Sequence, residues 1–209
     1  MQKEVLTITA DCKITEALSL MDKHNLHRLP VVSGKRLIGL ITEGIISAHT
    51  PSKATSLSIH EMNYLLSKMM VKDIMIKDVV TVYPDTLLED AANIMRHNDI
   101  GCLPVIIGDD MELTGIITIN DIIDAFIDMI GLSSKGVRLE IEVKNDHIGV
   151  LADITSIFAA NNINLSRVSV FQETEKYVII VLTTTTTIKK VEKDLSERGY
   201  EVRAKHIYE

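Results

Sequence analysis

The chain has 209 residues, 46% hydrophobic and 24% charged, with a net charge of −7. That length and composition fit one or two globular domains. The acidic balance weighs against a phosphate-backbone partner, so no nucleic acid is expected.

Trp is absent and aromatics are only 4%, so the core must be aliphatic, which favours α/β packing. The longest apolar run, Tyr177–Leu182, falls far short of the roughly 18 residues that cross a bilayer, and no membrane partner is expected. Met1-Gln2-Lys3-Glu4 lacks the design of a signal peptide. Cys12 and Cys102 are far apart and in no metal-ligand spacing, which fits reduced thiols in a cytoplasmic protein.

Taken in chain order, the sequence repeats itself. Shifted so that Met1 falls on Met75, Lys3, Val5 and Thr7 fall on Lys77, Val79 and Thr81. Asp11, Ala17 and Met21 fall on Asp85, Ala91 and Met95, and Leu29-Pro30-Val31 on Leu103-Pro104-Val105. After two extra residues in the second copy's turn, Gly39, Ile41 and Thr42 fall on Gly115, Ile117 and Thr118. Each copy opens with a short strand, Val5–Ile8 or Val79–Val82. A helix follows, with apolar residues at Ile14, Ala17, Leu18 and Met21, or at Leu87, Ala91, Ile94 and Met95. Thr86 and Glu89 have capping-box spacing and predict the start of the second copy's helix. Cys12 holds the matching position in the first copy.

Two strands around a turn come next: 29–32 and 37–41, then 103–107 and 113–117. A last helix runs from about Asp121 to Ile130 and stops at Gly131. Residues 50–70 connect the copies through a helix with Ile59, Met62, Leu65, Leu66 and Met69 on one stripe, and Ser58 and Glu61 at capping spacing. A repeat of about 55 residues buries too little surface alone, so the halves must pack together.

This doubled order of strand, helix, Leu-Pro-Val, strand and Gly-x-x-Thr resembles a tandem pair of CBS domains over about residues 1–130. The first copy lacks a leader like Val71-Lys72-Asp73-Ile74. The resemblance implies that Thr118 and Asp121 hold the ribose of an adenine nucleotide such as AMP, ADP, ATP or S-adenosylmethionine. A carboxylate can accept from both hydroxyls of the diol. Apolar walls and backbone near Gly101, Cys102, Leu103, Pro104 and Val80 would hold the base, and Arg28 could meet a phosphate. Asp121 also suits a helix N-cap, and the two roles can coexist. In the first copy Ile45 stands where the Asp should be, with Glu43 two positions early. One adenosine site per pair is therefore expected, lost in Asp121→Ala and kept in Ile45→Ala. His24 and His27 lack a third ligand, and no metal is expected.

Leu132-Ser133-Ser134-Lys135-Gly136 reads as a linker. Beyond it, strand 137–143, helix 149–160, strands 163–171 and 177–183, helix 188–198 and strand 200–207 give the order βαββαβ, a ferredoxin-like unit. The helix at 149–160 should turn Leu151, Ile154, Ile157 and Phe158 inward, and strand 163–171 should lie at a sheet edge. Asp146, Gly149 and Leu151 match the Asp-x-x-Gly-x-Leu pattern of ACT domains, which this unit resembles. That implies an amino-acid site at the loop, whereas a plain strand-to-helix turn with Asp146 as cap explains the same residues. The whole order is similar to the acetoin-utilisation (AcuB-like) regulatory proteins.

The fold class is thus α/β (α+β). The expected domains are repeats at 1–49 and 71–131, a connecting helix at 50–70, a linker at 132–136 and the unit at 137–209. No nucleophile elbow, zinc-protease motif, phosphate loop or dinucleotide fingerprint occurs. The expected function is a regulatory ligand sensor, a homodimer that modulates an unknown protein, and not an enzyme. The alternatives are a dimerisation scaffold without ligand, or an enzyme with an unrecognised site.

Overall fold

The structure is a computed structural model and describes residues 4–50, 66, 68–130, 135–173, 176–185 and 187–208. Most of the expected connecting helix, Gly131 and most of the expected linker lie outside the described residues. Contacts divide the chain into two units, Met1–Ile122 and Ile123–Glu209.

The first unit repeats one motif. The first copy comprises β1 (Ile8–Thr9), α1 (Ile14–His24), β2 (Arg28–Ser33), β3 (Arg36–Thr42) and α2 (Glu43–His49). A short helix, α3 (Val71–Ile74), precedes the second copy, which has α4 (Leu88–Asn98), β4 (Cys102–Ile107), β5 (Glu112–Thr118) and the start of α5 (Ile119–Ile130), a helix that crosses the unit boundary at Ile122. The opening strand expected at 79–82 is not formed: Val82 alone makes a bridge, parallel to Val105. In α1 and α4 the apolar residues recur at helical spacing and bury Ile14, Ala17 and Met21, then Ala91 and Met95. Both helices end on a non-glycine residue in the left-handed conformation, Asn25 and Asp99, each with φ 52°. Their N–H groups cap the last-turn carbonyls.

Two expectations about α4 fail. Its N-cap is Leu87, without a side-chain cap, because the Thr86 hydroxyl accepts from the Tyr83 N–H at 3.0 Å and stabilises the preceding turn instead. Cys12 behaves likewise: its sulfur lies 3.2 Å from the Thr9 hydroxyl, and Lys13 is the N-cap. Leu87, expected inward, is exposed, because the cap position lies outside the buried stripe.

The five strands form one sheet in the order β1-β2-β3-β5-β4. The hairpins share one register. Arg28 opposes Thr42 and Val31 opposes Gly39, as Cys102 opposes Thr118 and Val105 opposes Gly115, with the same irregularity after Val31 and Val105. The halves meet where Arg36 opposes Glu112. There Leu37 N–H donates to Met111 O and Leu113 N–H to Lys35 O, both at 2.9 Å. Each half keeps its own apolar core. A third cluster, Leu40, Cys102 and Ile116 against Val5 and Val79, draws on both halves.

In the second unit, β6 (Gly136–Val143), α6 (Val150–Ala160), β7 (Leu165–Glu173), β8 (Lys176–Thr183), α7 (Lys189–Glu197) and β9 (Glu201–Tyr208) follow the expected βαββαβ order. The sheet order is β7-β8-β6-β9, so β7 is an edge strand as expected. Ile154, Ile157 and Phe158 of α6 are buried with Val191 and Leu195 of α7. Leu151 is 44% exposed rather than inward. It sits in the first turn, off the side that packs on the sheet.

Candidate functional site

Thr118 ends β5 and precedes α5. Its hydroxyl and its N–H both donate to Asp121 Oδ2, at 2.7 and 2.8 Å, and the Asp121 N–H lies 3.3 Å from the Thr118 hydroxyl oxygen. Thr118 is thus in the capping position, and Asp121 closes the cap from the first turn. That corrects the expectation of Asp121 as the cap residue. Burial pushes the Asp121 carboxyl up, but the Thr118 hydrogen bonds pull against it, and the net is a pKa below the ordinary carboxylate value. The group is an ionised, preorganised acceptor at a helix start.

The first copy builds half of this device. Thr42 caps α2, its hydroxyl accepting from Ile45 N–H at 3.2 Å. Ile45 has no carboxylate to return. Glu43 does not take its place, since its Oε2 accepts from His27 Nδ1 at 2.8 Å.

A cavity of about 570 Å³ opens in the first unit, within the size range of small-ligand sites. Leu40, Ile45, Ile76, Val79 and Ile100 supply apolar wall. Arg28, Thr42, Glu43, His27, Asp78 and Asp99 supply polar groups. The Arg28 guanidinium has no hydrogen-bond or ion-pair partner among the described residues. It lies over Gly101, where a Cβ would meet Arg28 Nη1 at 3.1 Å.

The structure divides the residues that the sequence grouped. Arg28, Val80, Gly101 and Cys102 line this cavity with Thr42 and Ile45. Thr118 and Asp121 are not among its lining residues. Leu103 and Pro104 are buried within β4. The cause is the pseudo-twofold relation. This cavity combines Thr42 and Ile45 of the first copy with Val79, Val80 and Gly101 of the second. Thr118 and Asp121 therefore occupy the counterpart of the Thr42 and Ile45 positions. What sequence reasoning missed at the cavity is Thr42, Asp78, Val79, Asp99 and Ile100. The matched repeat positions were the available signal, since Val79 and Val80 correspond to Val5 and Leu6.

In the second unit the loop before α6 is exposed from Lys144 to Gly149. Gly149, not Asp146, is the residue preceding the helix, with φ 101°, a conformation that only glycine adopts without strain. Among the described residues no group of three or more His, Cys, Asp or Glu is placed to hold a metal. No described helix is long and apolar enough to cross a membrane.

A family profile described as CBS domain matches residues 1–48 and 71–128, just over half of the chain. The chain belongs to the CBS-domain family. Its carboxy-terminal part carries an ACT domain, matched over residues 137–199.

Similar CBS-domain proteins are varied. An inosine-5′-monophosphate dehydrogenase from Korarchaeum cryptofilum is 31% identical over 57% of this chain and 22% of its own length. The CBS domain-containing protein YhcV from Bacillus subtilis is 30% identical over 58% of this chain and 79% of its own. The chain spans about a fifth to a third of the first curated relatives it matches.

Among solved structures, the acetoin utilization protein AcuB from Vibrio cholerae superposes with a TM-score of 0.52 and 27% identity, covering 64% of this chain and 90% of that one. The CBS-domain protein CBSX2, solved in complex with AMP, gives a TM-score of 0.50 and 25% identity, covering 61% of this chain and 92% of that one.

Proposed function

We propose that the protein is a regulatory ligand sensor whose CBS pair binds an adenine nucleotide, with Thr118 and Asp121 holding the ribose. AMP, ADP, ATP and S-adenosylmethionine are the candidate ligands. The observation that carries this reading is the Thr118–Asp121 arrangement, an ionised carboxylate fixed at a helix start, which suits a pair of vicinal hydroxyl donors. The AMP complex of the similar CBSX2 supports the ligand class. Binding changes the population of two arrangements of a homodimer, and one of these alters an unidentified partner. The exposed loop carrying Asp146, Gly149 and Leu151 is the proposed amino-acid site of the ACT domain, where the carboxylate meets N–H groups at the start of α6 and Asp146 meets the ammonium.

A thermal shift series with these nucleotides tests the reading. A ligand at a hundred times its Kd should stabilise by about 2.7 kcal/mol. Asp121→Ala should shrink the AMP-induced shift, and a shift of unchanged size would remove Asp121 from the site. A protein that turns over the nucleotide would favour an enzyme, and no response from any ligand would favour a scaffold.

A further inference from the structure

In the second unit, α6 and α7 pack on one face of the sheet, against Leu139, Ile141, Ile179 and Val181. The residues alternating with these face the other way, and one row of them carries charge. Leu182 of β8 opposes Arg167 of β7 on one side and Arg138 of β6 on the other. Two guanidinium groups thus flank a leucine that is only 2% exposed. They border a cavity of about 330 Å³, at the small end of ligand-site volumes. Every residue that lines it belongs to the unit Ile123–Glu209.

The lining selects an occupant. Of the chain's three Phe and five Tyr, Phe126, Phe171 and Tyr208 meet here, which suits a flat apolar body. Arg138 and Arg167 are the only charged residues of the lining, and a guanidinium fork matches a carboxylate. Glu140 engages Nη1 of Arg138, and the remaining N–H groups can still donate. The same Glu140 repels a dianion more strongly than a monoanion. The hydroxyls of Ser169 and Tyr208, both in the lining, have no hydrogen-bond partner among the described residues. An α-ammonium group would meet two cations and no acid there.

We propose that the sheet face turned away from α6 and α7 carries a site for an aromatic monocarboxylate that lacks an α-ammonium group. Arg138 and Arg167 take the carboxylate, and Phe126, Phe171 and Tyr208 enclose the ring. None of Asp146, Gly149 and Leu151 lines this cavity, so it is distinct from the loop proposed above for an amino acid. The proposal stands whether or not the CBS pair binds a nucleotide.

Isothermal titration of the full chain with 3-phenylpropanoate and L-phenylalanine tests it, since the two differ only in the ammonium group. The comparison is made in Asp146→Ala, which removes the ammonium partner of the proposed loop site. That variant should bind 3-phenylpropanoate as the wild type does, and at least about tenfold (1.4 kcal/mol) more tightly than L-phenylalanine. Arg167→Met should weaken 3-phenylpropanoate by about tenfold or more. Ser169→Leu fills the cavity, leaves both arginines in place and should abolish binding.

The proposal is overturned if the wild type shows no saturable binding of 3-phenylpropanoate at millimolar concentration, or if Asp146→Ala binds L-phenylalanine as tightly. It is equally overturned if Arg167→Met binds as the wild type does, or if Asp146→Ala abolishes binding, which would put the ligand at the loop. Should Arg167→Met fail to fold, Ser169→Leu decides, and retained binding there overturns the proposal. The nucleotide response of the CBS pair is read separately, so either reading can fall without the other.

Discussion

Ile45 and Asp121 occupy the same turn of equivalent helices, and their difference has an energetic signature independent of any ligand. Thr42 caps α2 alone, whereas Thr118 and Asp121 cap α5 reciprocally. Ile45→Asp should therefore stabilise the first copy by about 0.5–1 kcal/mol, read from denaturant melts. The Asp121 pKa is depressed in the folded chain. Its contribution is complete above the unfolded value of about 4 and disappears as pH falls through the lower folded value. The melting temperatures of wild type and Asp121→Asn should accordingly converge below pH about 4. Constant separation down to pH 2 would mean that the carboxylate carries no such linkage. Gly136 is constrained in another way: its φ is +144°, and a Cβ there would lie 1.8 Å from the Thr183 carbonyl oxygen. Gly136→Ala should cost the second unit more than about 2 kcal/mol.

Among the elements, α6 is tied to the turn between α7 and β9 through Asp153. Asp153 on α6 accepts from Arg198, just past α7, and from the Tyr200 hydroxyl at 2.9 Å. Tyr200 is buried, so Asp153→Ala strands its hydroxyl and should destabilise the unit by about 1–3 kcal/mol, whereas Tyr200→Phe with Asp153→Ala should recover part of the loss. Helix α5 is the reverse case. It buries none of its residues, and Ile119, Ile123, Phe126 and Met129 are exposed at helical spacing. If this stripe serves the proposed homodimer, Phe126→Glu with Met129→Glu should yield a monomer in sedimentation velocity.

Element order was legible in the second unit and in the paired hairpins, where each apolar period matched its length, but the strand expected at 79–82 is only a single bridge at Val82 and the short helices Glu43–His49 and Val71–Ile74 were not foreseen. Capping was not fully legible. Thr86 and Glu89 have the right spacing, yet the Thr86 hydroxyl serves Tyr83. Asp121 has the right type, yet it stands within the first turn of α5. Local pattern names the residues that can cap and leaves open which neighbour they choose.

At the scale of the molecule, the repeat told how many halves to expect and that they must meet. It did not tell which residues of one half face which of the other. That requires the pseudo-twofold relation, because Thr42 and Ile45 of the first copy share a cavity with Val79, Val80 and Gly101 of the second. Arg28 and Val80, though 52 positions apart in sequence, line one cavity, and no period in the chain announces the pairing.

The seam between β3 and β5 has a last consequence. It is stitched by two backbone hydrogen bonds, from Leu37 and from Leu113, on either side of Arg36 and Glu112. Those two amide protons are therefore built-in reporters. Deuterium uptake at Leu37 and Leu113 should register how often the sheet parts at its middle, with no dye and no substitution.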